Sequence, residues 1–149
     1  MTVTPKDIVS ACRRLYDAID KLDAVAANRV QVSRNDLRCL NLLSKGPAKP
    51  GYIATELDLT TGSVTTLLDR LEAKNLLRRD RDPHDRRGVL VYPTDHLFTV
   101  LGPLYLGVAE EIERLARDYT PKERVAAARH LSDAAMAYDA AINASKAND

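Results

Sequence analysis

A chain of 149 residues, 45% hydrophobic and 29% charged, holds one domain's worth of material and can bury a core of its own. Its formal net charge is only +1 and it has no run of about eighteen apolar residues, so neither a polyelectrolyte nor a membrane-spanning helix is expected. The cysteines Cys12 and Cys39 lack metal-ligand spacing and the histidines His84, His96 and His130 are scattered, which leaves no pattern for a disulfide framework, a metal centre or another cofactor.

The start, MTVTPKD, leads into a charged amphipathic stretch and not into a signal-peptide apolar block, so a cytoplasmic protein is expected. Residues 5–27 read as a helix, with Thr4 as N-cap, Pro5 in the first turn and Asp7 completing a capping box. Ile8, Cys12, Leu15, Ile19, Leu22 and Val25 then fall at helical spacing and form one stripe that needs a partner. A second helix opens at Ser33, with Asp36 three residues on, and carries Leu37, Leu40 and Leu43 until KGPAKPG breaks it at residues 45–51.

A short third helix is predicted from Pro50 or Gly51 to Leu57, burying Ile53 and Leu57, and DLTTGS turns the chain into a fourth. Thr60 or Thr61 caps that fourth helix, and Val64, Leu67, Leu68 and Leu71 share its buried arc. The opposite arc carries Gly62, Thr65, Thr66 and Asp69, with Ser63 and Arg70 at its edge. Solvated helices favour Glu, Lys and Arg over Thr and Ser, so local stability did not choose this outward face. Short polar side chains let a helix come very close to another surface.

Asn75 ends the fourth helix, and RRDRDPHDRRGVLVYPT, residues 78–94, reads as two strands joined by a charged tip. Beyond Thr94, a helix with Leu97, Val100 and Leu101 is expected to break or kink at Gly102-Pro103 and to resume with Leu104, Val108, Ile112 and Leu115. A last helix starts at TPKE, where Thr120 and Glu123 make another capping box, and shows Val125, Ala128, Leu131, Ala135, Tyr138 and Ile142. The fold class is mainly α with a small β-hairpin wing: a winged helix-turn-helix over residues 33–94, flanked by a helical lobe from residues 1–32 and 95–149. The terminal stripes exceed what so small a winged lobe can cover, and pairing with a second copy about a two-fold axis covers them. Residues 33–94 carry more Lys and Arg than Asp and Glu, and residues 95–149 the reverse, so a polyanion would be met in the middle of the chain.

The stretch LTTGSVTTLLDRLEAKNLLRRDRDPHDRRGVLVYPT resembles the recognition helix and wing of the MarR family, the multiple-antibiotic-resistance-type transcription regulators of bacteria and archaea. The resemblance rests on Gly62-Ser63-Val64-Thr65, on Asp69-Arg70-Leu71-Glu72, and on Asp85-x-Arg87 followed by Val91 and Thr94, and it extends more loosely over the whole chain. It implies a homodimer interlocked through its first and last helices, two winged lobes on a near-palindromic duplex site, and a repressor whose DNA affinity falls when a small aromatic or phenolic effector binds.

For such a regulator, Thr61, Gly62, Ser63, Thr65 and Thr66 approach base edges and thymine methyls in the major groove, while Arg38 and Arg70 reach phosphates. Family members often carry Arg or Asn where this chain has Thr66, so one long base-reading side chain is missing and the wing carries more of the recognition. By similarity to the family motif, Arg87 enters an A·T-rich minor groove, with Asp85 bracing it by a charge-assisted pair and Arg81 and Arg86 on phosphates. Arg78 and Arg79 remain as strand residues nearer the helix. The bland alternative is that alternating Arg and Asp only solubilise an exposed turn. Tyr16, Tyr52 and Tyr105 are the candidate effector pocket, although amphipathic packing accounts for them equally well. Thiol-responsive members of the family carry a reactive cysteine in the first helix, which makes Cys12 a redox candidate, but its place on the apolar stripe favours packing. A winged interaction module without DNA binding is the other alternative. No Gly-rich phosphate loop or G-x-S-x-G appears, so an enzyme is not expected.

Overall fold

A computed structural model describes residues 2–147 and, at Arg86, the backbone alone. By backbone proximity the chain divides into two compact units, the first ending at Tyr105 and the second beginning at Leu106. The element order is α1 (Pro5–Val30), α2 (Arg34–Leu43), α3 (Pro50–Leu57), α4 (Thr61–Ala73), β1 (Leu77–Asp82), β2 (Asp85–Pro93), α5 (Asp95–Arg117) and α6 (Pro121–Lys146).

In the first unit α1 packs on α2, α2 on α3, α3 on α4, and α4 on β1, while β2 reaches back to α2 and α3. The core is built from Leu37, Leu40 and Leu43 of α2, Ile53 and Leu57 of α3, Val64, Leu67, Leu68 and Leu71 of α4, and Leu76, Leu77 and Val91 at the base of the hairpin. These are the apolar positions predicted for α2, α3 and α4, and each buried Leu or Ile contributes about 1.5–3 kcal/mol. Ser33 caps α2 in a reciprocal box with Asp36, and Thr60 caps α4 by accepting the Ser63 amide.

The hairpin pairs antiparallel from Leu77 opposite Pro93 to Arg81 opposite Val89, and the register slips between Arg81 and Asp82. Its base is closed by Thr94, whose hydroxyl donates to the Asn75 carbonyl at 2.6 Å and accepts the Leu97 amide at 3.3 Å. One side chain thus joins the end of α4 to the start of α5. On the other edge of β2, the loop before α3 adds a bridge, with the Ala48 amide on the Val91 carbonyl at 3.0 Å and the Val91 amide on the Ala48 carbonyl at 2.9 Å.

Two expectations are corrected. Helix α1 runs to Val30 and not to Ala27, ending where Gln31 takes a left-handed φ of 52°. Helix α5 passes through Gly102-Pro103 unbroken. A proline removes one i→i−4 bond, here to the Thr99 carbonyl, and the buried Leu97 and Leu101 on the preceding turns hold the helix through that single loss.

The terminal helices meet the sequence pattern without burying it. The α1 stripe stays largely open, with Ile8, Leu15, Ile19 and Val25 exposed, and only Ala26 and Ala27 of that helix are buried. In the second unit, Thr120 and Glu123 form the predicted capping box of α6, and the Arg124 guanidinium donates to the Tyr119 carbonyl at 2.6 Å. No residue of α6 is buried, and Val125, Leu131, Met136, Tyr138 and Ile142 are all exposed.

Candidate nucleic-acid interface

Helix α4 presents the face anticipated from its sequence: Thr61, Gly62, Ser63, Thr65, Thr66, Asp69 and Arg70 are exposed. The hydroxyls are occupied on the inward side. Thr65 donates to the Thr61 carbonyl at 3.0 Å and Thr66 to the Gly62 carbonyl at 3.2 Å. Each hydroxyl therefore turns back on its own helix and keeps only acceptor capacity for a ligand. A Cβ at Gly62 would meet nothing within 4 Å, so internal packing does not demand glycine there.

The carboxylates near this face are neutralised by arginines. Arg70 donates through Nη2 to Asp36 Oδ1 at 2.6 Å, tying α4 to the start of α2. The Asp36 side chain is only 4% exposed. Burial alone would raise its pKa, but the hydrogen bonds from Arg70 and from Ser33 outweigh burial and hold the carboxyl below its ordinary value. Arg79 reaches from β1 to α4, with Nη2 at 2.6 Å from Asp69 Oδ1, Nε at 3.0 Å from Glu72 Oε2, and its amide at 2.9 Å from Glu72 Oε1. Those side-chain and backbone bonds from Arg79 lower the Glu72 pKa. Arg78 pairs with Asp80 at 2.8 Å and lies over the Tyr92 ring at 4.5 Å.

Arg70 and Arg79 thus serve first as braces of the winged lobe. Arg70, anticipated as a phosphate contact, has half of its side chain exposed and an internal partner. Among the described residues no carboxylate lies within ion-pair distance of Arg38, Arg81 or Arg87, and all three are exposed. The side chain of Arg86, another anticipated contact, lies outside the described residues.

The brace expected between Asp85 and the Arg87 guanidinium is corrected in kind. Asp85 Oδ1 accepts the Arg87 backbone amide at 3.0 Å, so it fixes the tip backbone and leaves the guanidinium unpaired. A second aspartate, which the sequence did not single out, organises the neck of the wing. Asp82, 6% exposed, accepts the His84 amide on Oδ1 at 2.9 Å and Lys49 Nζ on Oδ2 at 3.2 Å. The His84 amide and Lys49 together overcome burial and lower its pKa. Gly88 faces this carboxylate: a Cβ there would sit 3.0 Å from Asp82 Cβ and 3.3 Å from Asp85 Cβ, so the close approach requires glycine.

The remaining candidates do not converge. Tyr16 and Tyr52 are more than half exposed, while the Tyr105 hydroxyl donates to Asp23 Oδ1 at 2.9 Å. Burial, then the Asp23 carboxylate, push the Tyr105 pKa up to about 12. The open cleft beside α4 is lined instead by Ser33, Asn35, Leu59, Ser63, Thr66, Leu67 and Arg70. Cys12 is half-buried on α1. Cys39 is fully buried, and its thiol is raised to about 12 by burial and by Asp36, which marks it as packing. Among the described residues no helix is long and apolar enough to cross a membrane.

Residues 30–88, from the end of α1 through the wing tip, match the model of the MarR family. The chain is 32% identical over 119 residues to the HTH-type transcriptional regulator YcgE of Bacillus subtilis, covering 79% of this chain and 77% of that protein. The structure of RV1404 from Mycobacterium tuberculosis superposes with a TM-score of 0.62 at 25% identity, over 92% of this chain and 96% of that one. A Staphylococcus aureus MepR variant bound to an oligodeoxyribonucleotide shares the fold, with a TM-score of 0.57 at 17% identity over 92% of this chain and 99% of that one. With the capped α2–α4 pair and the hairpin wing behind them, these likenesses make the chain a member of the MarR family of winged helix-turn-helix transcription regulators.

Proposed function

We propose that the protein binds a near-palindromic duplex site as a homodimer, with α4 in the major groove and the wing in the minor groove, and acts as a repressor released by a small aromatic effector. One observation carries this proposal. On the surface that holds the small hydroxyl face of α4, Asp36, Asp69 and Glu72 are each paired with an internal arginine, whereas Arg38, Arg81 and Arg87 keep their charge. A merely solubilising surface has no need to cancel its negative charges selectively, but a surface that meets phosphates does. Gly62 and the back-bonded threonines then give α4 a thin profile with methyl groups for thymine.

The homodimer is supported by the open apolar faces of α1 and α6. A row such as Val125, Leu131, Tyr138 and Ile142 is costly in water and is relieved by a second chain. Residues 1–32 and 95–149 then form the dimerisation lobe and residues 33–94 the DNA-binding lobe. Selection from a random duplex pool tests this proposal: the enriched sequence should have dyad symmetry, with half-sites about one helical turn apart. A protein that enriches no motif, while binding another protein through the same surface, would be an interaction module.

Arg87→Ala should weaken binding roughly tenfold on a site with A·T-rich flanks, the scale of one hydrogen bond to a charged group. The loss should be smaller on G·C-rich flanks, where the minor groove is wider and its potential weaker. Competition binding on the two duplexes reads this directly, and equal losses would remove the minor-groove assignment.

A further inference from the structure

We infer that Lys49 is a positioning residue for the wing, its ion pair with Asp82 fixing the neck of the hairpin and with it the direction in which Arg87 is presented. This rests on the DNA-binding function proposed above only where Arg87 is concerned; the brace itself is read from geometry. Lys49 occupies the N-cap of α3, with Pro50 following it in the first turn, and makes no side-chain capping bond. Ser, Thr, Asp or Asn would cap that helix better, so the position is not filled for the sake of α3. Its side chain leaves the helix and crosses to Asp82, 33 residues along the chain, meeting a carboxylate that is 5% exposed.

That carboxylate sits where the wing changes character. The strand register slips between Arg81 and Asp82, so regular pairing no longer sets the path of the tip. Asp82 replaces it with the bond to the His84 amide and the close contact with Gly88. Arg87 lies directly beyond, held by Asp85 through its backbone. The Ala48–Val91 bridge anchors the same loop to β2, but it uses backbone groups that any residue at position 49 would leave in place. Lys49 is therefore the side-chain link between the helical core and the tip. Without it, Asp82 is a poorly solvated charge with one amide partner, and the neck relaxes to hydrate it.

Lys49→Ser separates this role from stability, because serine at an N-cap favours α3 while the ion pair is lost. Amide hydrogen exchange at His84 and Arg87 should accelerate by about two- to fivefold, the scale of an ion pair with one exposed partner, with α2 and α4 unchanged. On duplexes with a common core, the preference for A·T over G·C flanks should fall by a similar factor, and Lys49→Arg should restore both readouts. Unchanged exchange at the tip would overturn the inference. So would an equal loss on both duplexes with a salt slope reduced by about one, since that marks Lys49 as a phosphate contact. Faster tip exchange in a protein that binds no duplex would leave the brace standing and remove the proposed function.

Discussion

Raising salt from 50 to 200 mM should weaken duplex binding by roughly 10³–10⁵, the loss that accompanies about six to ten phosphate contacts in a dimer. The chain's net charge of +1 cannot supply this slope, so it has to come from local arrangement. The ion-pair pattern assigns the terms. Arg81 has no carboxylate within ion-pair distance among the described residues, and Arg81→Ala should reduce the slope by about one. Arg79 is held by Asp69 and Glu72, so Arg79→Ala should leave the slope nearly unchanged while loosening the hairpin on α4. Affinity measured across a salt series for the three proteins reads both terms. A flat series for the wild type would sink the DNA-binding function, and a reduced slope for Arg79→Ala would show that its carboxylates release it to the backbone.

The difference between Arg81 and Arg79 also shows what the sequence could and could not disclose. Capping boxes at Thr4-Asp7, Ser33-Asp36 and Thr120-Glu123 were legible because each closes within one turn. The buried arc of α4 was legible for the same reason, since 3.6-residue periodicity is a local property. The wing's arginines looked alike in sequence because what distinguishes them is distant: Arg79 meets Asp69 ten residues back, and Arg70 meets Asp36 across 34 residues. No spacing rule encodes such pairs. Asp36 was read as a cap alone, and the loop holding Lys49 only as a helix breaker. The break expected at Pro103 failed for a related reason, because the burial of Leu97 and Leu101 in the fold overrides a local propensity.

Arg70→Ala should destabilise the protein by about 2 kcal/mol at neutral pH, lowering the unfolding midpoint by roughly 4–8 °C for a chain of this size. Breaking a fully buried pair costs about 3–5 kcal/mol. Here the Asp36 side chain is 4% exposed but that of Arg70 is 51% exposed, so water screens part of the interaction and the lower figure follows. The loss is mainly the stranding of Asp36, which keeps the Ser33 amide at 3.0 Å and no cation. Adding Asp36→Asn to Arg70→Ala removes the stranded charge and should recover part of the stability, a non-additivity that a double-mutant cycle detects. The pH dependence carries a sign. Asp36 has a lowered pKa in the folded protein, so between that value and its ordinary value of about 3.9 the unfolded chain binds more protons and stability rises with pH. The contribution is complete above about pH 4 and disappears as pH falls through the lowered value. The stability gap between wild type and Arg70→Ala should therefore be constant near neutrality and narrow below about pH 4. Thermal unfolding followed from pH 7 to pH 3 measures that gap. A gap that stays the same at the acid end, or is absent at pH 7, would show that α2 and α4 are held together by their apolar faces alone, leaving Arg70 to the phosphates.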